Sequence, residues 1–170
     1  MNLSAAIPYY FQDDGVIPNH PRFPVLIYSG VFTDLDSDQV LSVFHRNRWL
    51  NSWINGVFDF HHYHSNVHEV LGVLSGYAEL QIGGENGKLL EVKRGDVIVL
   101  PAGTGHKRLS SGSGFRVAGA YPEGMSYNLK TGKSDERPQV LEEIRNVPFP
   151  VKDPVYGDNG PMFQYWKLPD

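Results

Sequence analysis

The chain has 170 residues, enough for one domain with a sizeable core and too few for two complete ones. Its formal charge of -4, from 15 Lys and Arg against 19 Asp and Glu with no basic stripe, gives no footprint for a nucleic-acid or anionic-membrane partner. Cysteine is absent, which excludes disulfides, thiolate nucleophiles and thiolate ligands, leaving His nitrogen and carboxylate oxygen as the strong donors for any transition-metal site.

Residues 1–22 mix Pro8, Gly15, Pro18 and Pro21 with Tyr9, Tyr10 and Phe11, which predicts an irregular arm whose aromatic rings lie on the body of the protein. The first residues lack a basic start and an apolar stretch, and no run approaches the roughly 20 apolar residues of a membrane helix. A cytoplasmic protein is the expectation. Pro24 to Ser29 is a short β-rich run ended by Gly30, a first strand. From Asp36 the period changes: Val40, Val43, Phe44, Asn47 and Leu50 follow helical spacing, and Asp36 with Gln39 resembles a capping box, so one helix is predicted over about residues 37–50. His45 within it is a solvent-edge or structural histidine.

The stretch Gly56–Gly76 concentrates the chemistry, with His61, His62, His64 and His68 followed by Glu69. Read as an extended strand, it turns Phe58, Phe60, His62 and His64 to one face and Val57, Asp59, His61 and Tyr63 to the other. His62 and His64 are then neighbours about 7 Å apart along the backbone, and both imidazoles can converge on one ion. Phe58 and Phe60 on that face predict an apolar pocket floor, and His61 is directed outward. After the turn at 65–67, Glu69, Leu71 and Val73 share a face; if the two runs pair, Glu69 reaches the same ion. Parity turns His68 away from it, so His68 is a structural residue, a substitute ligand or a proton carrier titrating near neutrality.

Tyr77–Ile82 alternates as a half-buried strand, Gly83 to Gly87 forms a hairpin loop, and Lys88–Val92 returns. Arg94 to Asp96 turn into the apolar Val97–Leu100, and a tight loop from Pro101 to Gly105 delivers His106. Arg108 shares the parity of His106; inward, it favours an anionic or carboxylate-bearing ligand, and outward it is an ordinary solvated arginine. A Ser/Gly-rich turn then precedes a strand over Phe115–Tyr121. Short strands between Gly-rich turns predict a sandwich or barrel. Beyond Pro122 come six prolines, one short helical segment at Gln139–Arg145, and the aromatics Phe149, Tyr156, Phe163, Tyr165 and Trp166, too many for a disordered tail. This reads as an ordered extension wrapped on the barrel and restricting its mouth.

Two patterns in this region resemble the paired motifs of the cupin superfamily. The first runs Gly56, five residues, His62, Tyr63, His64, four residues, Glu69, six residues, Gly76; the second runs Gly95, five residues, Pro101, Ala102, Gly103, two residues, His106, three residues, Ser110. Ser110 departs from the Asn of the family pattern, at a position that is not a usual ligand. The resemblance implies an all-β double-stranded β-helix, the cupin jelly-roll barrel, forming a single domain over 1–170. Its barrel core spans about 54–122, preceded by the arm and helix over 1–53 and followed by the extension over 123–170. It further implies that His62, His64, Glu69 and His106 hold one divalent transition-metal ion (Fe, Mn, Ni, Zn or Cu), and that the protein is a homodimer.

A metal-dependent enzyme, oxygenase or isomerase, acting on a small organic molecule is the leading expectation, with His68 as the catalytic proton carrier outside the ligand set. The alternatives are a metal-free isomerase or epimerase and a non-catalytic small-ligand or storage cupin.

Overall fold

A computed structural model describes residues 5–169. Among them seven strands form one antiparallel sheet that curls on itself: β1 (Ile7–Tyr9), β2 (Val25–Tyr28), β3 (Trp49–Asn55), β4 (Glu69–Ile82), β5 (Lys88–Lys93), β6 (Val97–Leu100) and β7 (His106–Pro122). The strand order is β1-β2-β6-β4-β7-β3, with β5 paired to β4. Helices α1 (Ser37–Arg46), α2 (Gln139–Arg145) and α3 (Met162–Tyr165) and a 3-10 turn at Ser134–Glu136 complete the fold. No helix among the described residues is long and apolar enough to cross a membrane.

Where β2 and β6 run, both faces of the sheet are buried, which explains why β2 (VLIY) and β6 (VIVL) are apolar at every position. Val25, Ile27, Leu71, Val73, Leu80, Ile82, Ile98, Leu100 and Val117 fill the interior. Leu26, Tyr28, Val70, Val97, Val99, Ala118 and Ala120 point outward, under a cover made by Val40 and Phe44 of α1 and by Val155, Met162 and Trp166 of the extension. The helix lies close because residue 72 has no side chain: a Cβ on Gly72 would stand 3.0 Å from Phe44 Cζ and 3.1 Å from Val40 Cγ1. The extension is therefore ordered as expected, and α2 occupies the predicted residues.

Asp153 locks the extension in place. Its carboxylate, fully buried, accepts from the Tyr28 hydroxyl at 2.5 Å and from the backbone N–H groups of Val155, Tyr156 and Met162 at 2.8, 3.0 and 3.1 Å.

Four local expectations are corrected. The arm is not wholly irregular, since Ile7–Tyr9 pairs with Val25–Ile27 as an edge strand. The capping box of α1 forms, with Asp36 and Gln39 bonded reciprocally, but the helix ends at Arg46. Arg48 there adopts φ 66°, which no helix continues through, and Trp49 and Leu50 pair with Pro122 and Tyr121 instead. The Ser/Gly-rich segment is no turn: β7 runs unbroken through it opposite β4, with register shifts around Ser75–Tyr77. Gly76 permits this crowding, for its φ is 69° and a Cβ would fall 2.3 Å from the Gly112 carbonyl. Finally, residues 56–68 form no regular strand; they carry single bridges, His62 to His106 and Tyr63 to Lys130.

Candidate metal centre

His62 and His64 lie on the irregular segment 56–68, yet they keep the predicted parity. Both line one cavity of about 550 Å³, while Tyr63 between them turns away to pack with Ile17 and Val140. Glu69 opens β4 and reaches the cavity from its position opposite Leu100 of β6, not by pairing with residues 56–64. His106 opens β7, and its backbone exchanges hydrogen bonds with His62 at 2.9 and 3.2 Å. All four side chains are buried.

The histidines are fixed in the same way. His62 Nδ1 donates to the Phe60 carbonyl at 2.9 Å, His106 Nδ1 to the Thr104 carbonyl at 3.0 Å, and His64 Nδ1 to the Asn128 carbonyl. A carbonyl only accepts, so each Nδ1 carries its hydrogen and each neutral ring keeps its free lone pair on Nε2. Those of His64 and His106 meet the Glu69 carboxylate, at 3.3 Å from Oε2 and 3.4 Å from Oε1. Donor atoms of His64, Glu69 and His106 lie within 4.8 Å of one another. His62 stands just outside this trio, its ring packed on His106 with centroids 4.0 Å apart.

Lone pairs facing a carboxylate repel unless a cation stands between them. Two ligands at about 2.1 Å in adjacent positions of an octahedral ion lie about 3 Å apart, close to the two separations seen here. Neutral nitrogen and anionic oxygen donors therefore fit a divalent transition ion. A proton can take the same place. Burial pulls the His64 pKa down, but the Glu69 charge and hydrogen bond outweigh it and leave the ring above its ordinary value. For Glu69, burial pushes up while the two histidines pull further down, so the carboxyl stays ionised, below the usual carboxylate range. His62 is held neutral, its pKa lowered to about 3 by burial and by His106.

Glu69 has a further partner that the sequence reading missed. Tyr121 donates its hydroxyl hydrogen to Glu69 Oε2 at 2.6 Å and accepts from Trp53 Nε1 at 2.7 Å. Its pKa is driven up by burial and then by the Glu69 charge, so the hydroxyl keeps its hydrogen. Tyr127 stacks on Tyr121 at 4.7 Å and meets His64 edge-on at 5.3 Å, and Leu129 beside it lines the cavity.

Phe58 and Phe60 do not form a floor. They stack on each other at 4.9 Å and are 52 % and 40 % exposed, and only Phe58 lines the cavity, so the pair forms a rim. Arg108 lines the cavity. His61 faces outward to Glu85, with Nε2 and Oε2 2.8 Å apart, and His45 Nε2 lies 2.9 Å from the Ser52 hydroxyl.

His68 sits outside the cavity. It is fully buried on the opposite side of the chain from Glu69, among Phe23, His20 and Trp166. Its Nδ1 accepts from the Ala102 N–H at 2.9 Å, so the remaining hydrogen is on Nε2, which has no hydrogen-bond partner among the described residues. The ring meets Trp166 with centroids 4.8 Å apart and planes at 61°, an edge-type aromatic contact. Burial, then His20, lowers its pKa to about 3.

A family model described as Cupin domain matches residues 55–114, the span that carries His62, His64, Glu69 and His106. Across 159 residues the chain is 46 % identical to the uncharacterized protein YjlB of Bacillus subtilis (strain 168), covering 93 % of this chain and 94 % of that one. The chain belongs to the cupin superfamily. As in other cupins, its sheet is a double-stranded β-helix. Among solved structures it is similar to the acireductone dioxygenase from Bacillus anthracis with a cadmium ion in the active center. That likeness has 20 % identity over 54 % of this chain and 61 % of the other, at a TM-score of 0.39. It is also similar to an uncharacterized conserved protein with a double-stranded β-helix domain from Klebsiella pneumoniae, with 17 % identity over 79 % and 90 % of the two chains and a TM-score of 0.39. At such identities the likeness is one of fold.

Proposed function

We propose that this cupin is a metal-dependent enzyme, an oxygenase or isomerase acting on a small organic molecule. His62, His64, Glu69 and His106 would hold one divalent transition ion. The observation that carries this reading is the set of tethered histidines, two of whose Nε2 lone pairs face the Glu69 carboxylate in a buried cavity. The ion would supply Lewis-acid or redox chemistry to a bound molecule.

The chain's own residues prepare that chemistry. Backbone carbonyls fix the three imidazole rings and their tautomers, and Tyr121 fixes the Glu69 carboxylate while remaining protonated. Ile54, Val57, Leu71 and Leu129 line the walls with hydrocarbon, which excludes water and strengthens polar contacts made inside. Asp59, exposed at the rim, is the lining carboxylate outside the cluster and can take a proton from a bound molecule. His68 accepts from the Ala102 N–H in the 101–103 loop and does not line the cavity, so we assign it a structural role and not proton transfer.

The test is metal analysis of the purified protein and of His62→Ala and His106→Ala. Loss of bound metal in both is expected; unchanged stoichiometry in both refutes the site. A metal-free acid–base enzyme is the second reading, favoured by the His64–Glu69 pair, in which the imidazole holds a proton against the carboxylate. Turnover that survives chelation would select it.

The homodimer implied by the family is part of the same proposal. Tyr10 and Val16 of the arm and Tyr77 and Leu89 of the outer strands are exposed and offer a second copy apolar surface. Sedimentation at micromolar concentration reads the dimer, and a clean monomer counts against it.

A further inference from the structure

We propose that Arg108 is the anchor for a carboxylate on the small molecule that enters this cavity; this deepens the functional reading above and rests on the cavity being its binding site. Pairing of β4 with β7 is regular here, Ile82 opposite His106 and Leu80 opposite Arg108, and both β4 residues belong to the interior core. Residues facing each other across an antiparallel pair share a face, so His106 and Arg108 both look inward, about 7 Å apart along the strand.

The arginine is also tethered. Its backbone N–H donates to the Phe58 carbonyl at 2.9 Å and its Nε to the Val57 carbonyl at 3.0 Å, which fastens the stem to the cavity mouth. A guanidinium has five N–H donors, and a single one is used in this way. Among the described residues the terminal nitrogens have no protein acceptor, and the two carboxylates lining the cavity, Asp59 and Glu69, form no ion pair with it. A half-buried, oriented fork without a counter-charge, in a cavity also lined by Ile54, Phe58 and Leu129, matches a planar anion held through two parallel hydrogen bonds.

Its distance from His106 adds a length requirement. A ligand held at the fork places its other end at the histidine cluster when only a few bonds separate its acid group from its reacting atoms. The substrate class is thus a small organic acid with an apolar body.

Butyrate, benzoate and mandelate, each compared with its primary amide, test this on the full chain. Calorimetry and the fluorescence of Trp53, which lines the cavity, report binding. The wild type is expected to prefer at least one acid over its amide roughly ten- to hundredfold. Arg108→Gln should abolish the preference with unchanged bound metal, and Arg108→Lys should restore part of it. The comparison is repeated after chelation. A preference that survives in Arg108→Gln, or that disappears on chelation in the wild type, assigns the carboxylate to the metal and overturns the inference. Failure of all three acids to bind in preference to their amides also overturns it. A preference that needs Arg108 in protein that binds no metal leaves the anchor standing while the metal reading fails.

Discussion

Tyr121→Phe removes one oxygen and, with it, both ends of the short relay from Trp53 to Glu69. The hydroxyl donates to an ionised, buried carboxylate at 2.6 Å, and a hydrogen bond to a charged group contributes about 1.5–3 kcal/mol. Trp53 is only half-buried, so water can reach the indole N–H left behind and little further cost arises. A loss of about 2 kcal/mol in a chain of this size lowers Tm by roughly 4–8 °C. Glu69 also loses the contact that orients it, and removal of such an outer partner typically weakens metal binding about 10–100-fold. Circular-dichroism melts measured with and without chelator, together with competition against a chelator of known affinity, read the two effects separately. A variant with wild-type Tm and wild-type metal affinity would show that the Tyr121–Glu69 contact does nothing, and the account of Glu69 would fall with it.

Asp153→Ala leaves the Tyr28 hydroxyl and three backbone N–H groups without their acceptor, and urea unfolding should show a loss of about 3–5 kcal/mol; a loss under about 1 kcal/mol refutes the lock. His20 lies buried with Nδ1 accepting from Arg22 and Phe23, and burial, then Arg22, lowers its pKa from 6.5 to about 4. The unfolded chain therefore binds a proton that the folded one refuses, so stability is full above about pH 6.5 and falls as pH drops toward 4, by at most about 3 kcal/mol. His20→Asn should flatten the stability curve in that window, and an unchanged slope would disprove the linkage. His68→Gln should keep its bound metal, whereas Glu69→Gln should lose affinity; the reverse pattern would exchange the inward and outward faces at the start of β4.

The candidate site was legible because its four residues follow strand parity and motif spacing, both local properties. Glu69 inward and His68 outward could be read from alternation alone, and the structure keeps them so. The three-four spacing of Asn47 and Leu50 misled because nothing local distinguishes a helix turn from the left-handed residue Arg48, which breaks it so that Trp49 can enter the core. Phe58 and Phe60 misled because alternation assumes an extended strand, and residues 56–61 lack a partner strand to hold one. Tyr121 was placed correctly at the end of a strand, but its partner Glu69 is 52 residues away and no spacing rule joins them. Asn128 left no signal at all, since it acts through its backbone carbonyl, which every residue possesses.

That carbonyl belongs to a segment beyond the barrel. Asn128 accepts from His64 through its main chain, holds the Ser65 N–H and hydroxyl through its side chain, and is itself bonded at its N–H by Asn66. The residues on either side of it, Tyr127 and Leu129, are cavity wall. The aim of one imidazole and the shape of the chamber are thus written in the same three residues, outside the span that the family pattern covers. Proteins that share the barrel but differ between residues 126 and 130 would inherit the three histidines and Glu69 without inheriting this chamber. A loop graft there would alter which molecules fit and the set of His64 in a single exchange, without replacing His62, His64, Glu69 or His106.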